Sequence, residues 1–143
     1  MSRTIKAMAR LAQVRKDLAV AKSRRLAAEI RKNEGLRDQV LQFASEYGDQ
    51  AVQAAQKGIS VSQLRDTYAF RGRLLDGARD QQMGLANMAR QLQIANLEAL
   101  AATRKSDGFG RLIARKEGEA KKKLESSEQR EVEDRVGAGR AKT

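Results

Sequence analysis

Carboxylates that could do chemistry in this sequence come in close sets: Glu117 with Glu119, and Glu131 with Glu133 and Asp134. Paired carboxylates serve as general acid and base only where a desolvating site pushes their pKa values apart. These sit in a stretch that is polar nearly all round. The chain has no histidine and no cysteine, which removes the commonest general base, the thiolate nucleophile and the usual soft metal ligands. Gly108-Phe109-Gly110 has the glycines of a phosphate turn, but no strand precedes it. No P-loop, dinucleotide turn or nucleophile elbow is present. The expectation is a protein without catalysis, cofactor or metal, acting through contacts.

Charge is the remaining chemistry. The chain carries a net +11, unevenly placed. Residues 1–32 hold ten basic and two acidic side chains, residues 33–110 nine of each, and residues 111–143 ten and seven. Such a basic balance seeks an acidic protein surface, nucleic acid or anionic lipid. Specific nucleic-acid recognition is disfavoured, because aromatics are not interleaved with the basic clusters and no known DNA- or RNA-reading pattern occurs. Membrane-surface binding is disfavoured further by the absence of tryptophan. No apolar run has the length of a membrane span, and the basic start lacks the apolar stretch of a signal peptide, so a cytosolic protein is expected. An amphipathic organelle-targeting start is the alternative reading of residues 1–16.

The elements that carry these charges are helices. There is no proline, charged residues make up 33% and aromatics 3%, the composition of long helices. Apolar residues recur at steps of three and four: Leu11, Val14, Leu18, Ala21, Leu26, Ile30, Leu36, Val40, Phe43 and Tyr47, then Leu64, Tyr68, Leu75, Ala78, Leu85, Met88, Leu92, Ala95, Ala99 and Ala102. Gly58 suits the residue past a helix end, and Ser60 with Gln63 suits a capping box. The predicted fold is all-α, a long two-helix antiparallel coiled-coil hairpin with an overhanging C-terminal helix. Its parts are a helix over about 4–57, a turn at 58–60, a helix over about 61–136 and a frayed tail at 137–143. The period slips near Leu85, and Ser106–Gly110 is the second-best break.

Counted outward from the turn, Tyr47 faces Arg71, Phe43 faces Leu75 and Val14 faces Arg104. The second helix outruns the first from about residue 118, leaving Leu124, Val132 and Val136 without an intramolecular partner. Near the turn each helix carries two apolar stripes. On the first they are Leu36, Val40, Phe43 and Tyr47 beside Leu41, Ala44, Ala51 and Ala55. On the second they are Tyr68, Leu75, Ala78 and Leu85 beside Phe70, Leu74, Gly77 and Gln81. A two-stranded seam needs one narrow stripe per helix. The spare stripes are either a wide seam or a patch for a partner, and pattern alone does not say which stripe faces inward.

Glu46-Tyr47, Gly58-Ile59-Ser60, Phe70, Leu74 and Gln81, followed by Glu128-Gln129-Arg130-Glu131-Val132-Glu133-Asp134, resemble the FliJ family, stalk proteins of the flagellar type III export apparatus that are related to injectisome stalks. The resemblance spans nearly the whole chain. It implies a cytoplasmic antiparallel coiled coil at the flagellar base, seated in the hexameric export ATPase. It further implies contact with the cytoplasmic domain of the export-gate membrane protein and with export chaperones. The family's gate-binding surface would fall on Leu36, Val40, Phe43, Tyr47, Phe70, Leu74, Gly77 and Gln81. Phe43 stands where the family would have tyrosine, and Gly77 where it would have a small side chain. The basic end would meet the ATPase through Lys121, Lys122, Lys123, Arg130 and Arg135, with Arg10, Arg15 and Lys16 on the other helix. The rival readings are a basic coiled coil associated with nucleic acid and a structural dimeriser.

Overall fold

A computed structural model describes residues 3–141 of the chain. Two helices account for nearly all of it: α1 (Arg3–Gln56) and α2 (Val61–Ala141), of 54 and 81 residues. Alanine, leucine, arginine, lysine and glutamine are strong helix formers, and no proline intervenes. Among the described residues there is no strand.

The break between the helices follows from local chemistry. Gly58 has φ +87°, the left-handed conformation that an L side chain resists. Ile59 N donates to Ala54 O at 3.3 Å and Gly58 N to Ala55 O at 3.2 Å, the paired bonds of a Schellman end. Gln63 N then donates to Ser60 Oγ at 3.1 Å, and Ser60 N to Gln63 Oε1 at 3.4 Å. That reciprocal pair is the capping box that starts α2.

The second-best break is not used. Ser106–Gly110 lies inside α2 without interruption. Each glycine costs about 1 kcal/mol of helix propensity against alanine. Buried Ser106 and half-buried Phe109 offset this by packing inward. Helix also continues through Gly137 and Gly139 to Ala141, where composition suggests a tail; residues 142 and 143 lie outside the described residues.

Contacts divide the chain into two units, each built from both helices: Ala19–Glu98, and Met1–Leu18 with Ala99–Thr143. In the unit Ala19–Glu98, the least exposed positions of α1 are Ala19, Ser23, Leu26, Ile30, Asn33, Arg37, Val40, Ala44, Tyr47, Ala51 and Ala54. Those of α2 are Leu64, Thr67, Arg71, Leu74, Ala78, Gln81, Leu85, Met88, Leu92 and Ala95. Steps of three and four alternate along this set, which forms the seam between the helices, and Val20, Ala27, Gly48, Gly72 and Leu75 are half-buried beside it. Gln81 fills the step between Ala78 and Leu85, so the expected slip does not occur. Cross-helix bonds keep one order. Moving back along α1 from Ala44 through Arg37 to Ser23 and Lys22, the partners advance along α2 from Arg71 through Gln82 to Asn96 and Glu98.

Within the other unit, Ile5, Ala9, Ala12 and Lys16 are the inward positions of α1. Ala99, Ala102, Ser106, Phe109 and Ile113 are those of α2, with Thr103 and Leu112 half-buried beside them. Ser106 Oγ donates to Gln13 Oε1 at 3.1 Å across the pair. Residues 114–140 are exposed throughout.

The seam corrects the expected apolar face. Leu11, Val14, Leu18, Leu36 and Phe43 stand outside it, and the buried apolar positions are Ala12, Ala44, Ala51, Ala78, Leu85 and Ala95. The fully covered seam side chains are mostly small, while the larger seam residues Leu26, Ile30, Leu64, Leu74 and Leu92 are only half-buried.

Candidate partner-binding surfaces

The unit Ala19–Glu98 brings the eight gate-type residues to one side of its helix pair. Val40, Tyr47, Leu74 and Gln81 occupy seam positions, and Phe70 and Gly77 directly precede the seam residues Arg71 and Ala78. Leu36 and Phe43 directly precede Arg37 and Ala44 in the same way. Because the cross-helix bonds of this unit run in opposite order along α1 and α2, residues placed like this flank the same side of the seam. The rings of Tyr47 and Phe70 meet with centroids 4.9 Å apart at 53°, an arrangement suited to the ring quadrupoles. The Arg73 guanidinium lies 5.7 Å from the Phe70 centroid, a cation–π contact. Spacing alone did not single out Arg73.

Half of this side is open. Phe43 is 57% exposed, beside a shallow recess formed with Gln39, Gln42 and Glu46. Nothing lies within 4 Å of a Cβ built on Gly77. Gln81 has a structural bond as well: its Nε2 donates to Asn33 O at 3.3 Å. Of the two apolar stripes on each helix, neither is wholly seam nor wholly patch. Val40, Tyr47 and Leu74 belong to the seam edge, and Leu36, Phe43 and Phe70 lie outside.

The opposite side of the same unit holds a groove that the stripe pattern only half revealed. Leu41, Leu75 and Ala78 floor it, with Arg37, Asp38, Arg79 and Gln82 at its rim and a volume of about 390 Å³. The rim charges are already engaged. Arg37 Nη1 donates to Gln82 Oε1 at 2.6 Å, and Arg37 Nη2 lies 3.0 Å from Asp38 Oδ1.

The candidate ATPase-binding residues belong to the other unit, and they form two groups. Arg10 and Arg15 are exposed on α1, and Lys16 is half-buried at a seam position. Lys121, Lys122, Lys123, Arg130 and Arg135 are exposed on α2. Gln13 is level with Ser106, and Lys121 lies fifteen residues further along α2. At 1.5 Å of rise per residue that is about 22 Å, so the two groups are not one cluster.

Among the described residues, no three His, Cys, Asp or Glu side chains group as metal ligands would. No helix among the described residues is long and apolar enough to cross a membrane.

Two long packed helices with exposed apolar and basic faces define a helical interaction protein. The family model described as "Flagellar FliJ protein" matches residues 1–136, and the chain belongs to that family. The family is a non-enzymatic component of flagellar export. Neither a curated protein nor a solved structure matches the chain.

Proposed function

We propose that this protein is the stalk of the flagellar type III export apparatus: an antiparallel coiled coil whose C-terminal helix runs on beyond its partner. The observation that carries this reading is that residues 114–140 are helical and exposed along their whole length. Leu124, Val132 and Val136 stand in water there at 60, 58 and 49% exposure. A polar helix with no packed face is marginal by itself. Its ordered state is best understood as bound, with the hexameric export ATPase as the holder and Lys121, Lys122, Lys123, Arg130 and Arg135 as contacts. Arg10, Arg15 and Lys16 would meet the ATPase separately, further back. Through Phe43, Tyr47, Phe70 and their neighbours, the unit of the turn would contact the cytoplasmic domain of the export gate. ATP hydrolysis would thereby couple to gate opening, at the cytoplasmic face of the inner membrane. Export chaperones would be further partners.

The test is a pulldown with the purified export ATPase, using the full chain and a chain lacking residues 118–143. The full chain should be retained and the shortened one lost. Equal retention of both would reject the overhanging helix as the ATPase contact.

A further inference from the structure

In the unit Met1–Leu18 with Ala99–Thr143, the seam half-buries Lys16 while Leu11, Val14 and Leu18 stand outside it at 49, 53 and 66% exposure. Met8 is also 48% exposed. Steps of three and four place these four on one strip of α1. They are the apolar residues that a seam built for burial alone would have used. Their outward position calls for an occupant.

Charge identifies its chemistry. Between Arg3 and Leu18 there are five basic residues and one carboxylate, Asp17, which accepts a bond from Gln13 Nε2 at 3.1 Å. Arg3 and Arg10, seven residues apart, share one edge of the strip. Arg15 lies four residues from Leu11 and three from Leu18, against its other edge. The α2 segment of the same unit, residues 99–143, is also net basic, with twelve basic and eight acidic side chains, and its Arg115 lies 3.8 Å from Glu119. There, Leu112 lines a shallow recess with Gly108, Arg111 and Arg115.

The missing tryptophan counted against a membrane surface, but the exposure of Met8, Leu11, Val14 and Leu18 reverses that expectation: a strip of leucine-sized side chains between arginines matches a surface that is apolar beneath and anionic above. We propose that this face of α1 docks on an anionic phospholipid surface. Met8, Leu11, Val14 and Leu18 enter the interfacial layer, and Arg3, Arg10 and Arg15 pair with headgroup phosphates. The helix lies on the bilayer and does not cross it. A second copy of the chain is a poor occupant, because it would bring the same positive charge to the contact. Nucleic acid answers the charge but leaves the leucines in water.

The experiment is co-sedimentation of the full chain with vesicles of phosphatidylcholine, with and without phosphatidylglycerol. Because Arg10 and Arg15 are also candidate ATPase contacts, the variant is made in the apolar strip: Leu11→Gln with Leu18→Gln. Both side chains are exposed, so circular dichroism should show the helix content unchanged. Binding is expected only with phosphatidylglycerol, weakening as salt rises from physiological ionic strength, about 0.15 M. The double variant should bind at least about tenfold more weakly. Since the chain has no tryptophan, Leu18→Trp supplies a single reporter whose emission should shift to the blue on the same vesicles. The proposal is overturned by absence of vesicle binding at physiological salt. It is equally overturned if the double variant binds undiminished, or if the chain binds duplex DNA and not vesicles.

Discussion

The guanidinium of Arg71 occupies the space that a side chain on Gly48 would need. Arg71 Nε lies 3.0 Å from a Cβ built on Gly48, and it donates to Ala44 O at 3.1 Å. A charged residue is thus held at a seam position by a backbone carbonyl of the opposite helix. Gly48, which costs α1 about 1 kcal/mol of helix propensity, makes the room.

That relationship predicts a sign change. Gly48→Ala should gain about 1 kcal/mol of propensity but displace Arg71 from Ala44 O, losing a bond from a charged donor worth about 1.5–3 kcal/mol. In the native background it should therefore be neutral or destabilising. In an Arg71→Ala background the same change should stabilise by about 1 kcal/mol. Urea unfolding of the four chains measures the coupling, and additive effects would show that the two residues are independent.

At Gly58 the prediction is purely one of backbone. Nothing lies within 4 Å of a Cβ built there, so Gly58→Ala meets no neighbour. It must still hold φ at +87°. The expected loss is about 1–2 kcal/mol, with Gly58→Asn costing less because asparagine tolerates this conformation. Equal losses for alanine and asparagine would place the cost elsewhere.

The turn was legible in the sequence because its signals are local: a glycine for the left-handed residue, then Ser60 and Gln63 three apart. Helix continuity was legible because no proline interrupts it, but the end was not, since Gly137 and Gly139 read as a tail and α2 runs to Ala141. The seam was harder to read. Bulk marks a core only when a residue is surrounded, and a helix with one neighbour can pack through Ala44, Ala51, Ala78 and Ala95. Arg37, Arg71 and Gln81 disguise the seam further, since each is polar and each bonds across it. The side that gathers Tyr47 and Phe70 was more visible, because counting from the turn had already put them at one height.

An alanine seam makes a prediction opposite to the one that leucine spacing suggests. Ala95 and Ala44 are each 1% exposed, so enlarging either to leucine should force the helices apart and cost about 1–3 kcal/mol. Leu11→Gln, at a position 49% exposed, should stay within about 0.5 kcal/mol of the native chain. Thermal unfolding of the three variants decides between the seams. A large loss at Leu11 with little at Ala95 would assign the seam to the leucines.

Gate contact is predicted to depend on the aromatic group and on little else of the same unit. Phe43 is 57% exposed, and Tyr47 stacks on Phe70 at the seam edge. Exposed rings backed by a packed pair present a rigid apolar anchor at low entropic cost, the kind of group that dominates binding energy. Replacing Phe43, Tyr47 and Phe70 together with alanine should abolish binding to the cytoplasmic domain of the export gate. Losing the Tyr47–Phe70 contact should lower stability by about 0.5–1.5 kcal/mol beyond the area lost, leaving helix content intact by circular dichroism. Leu41→Ala with Leu75→Ala, in the groove on the opposite side, controls for general weakening of the unit. If that pair abolishes gate binding as well while the aromatic variant retains it, the gate contact belongs to the groove and not to the rings.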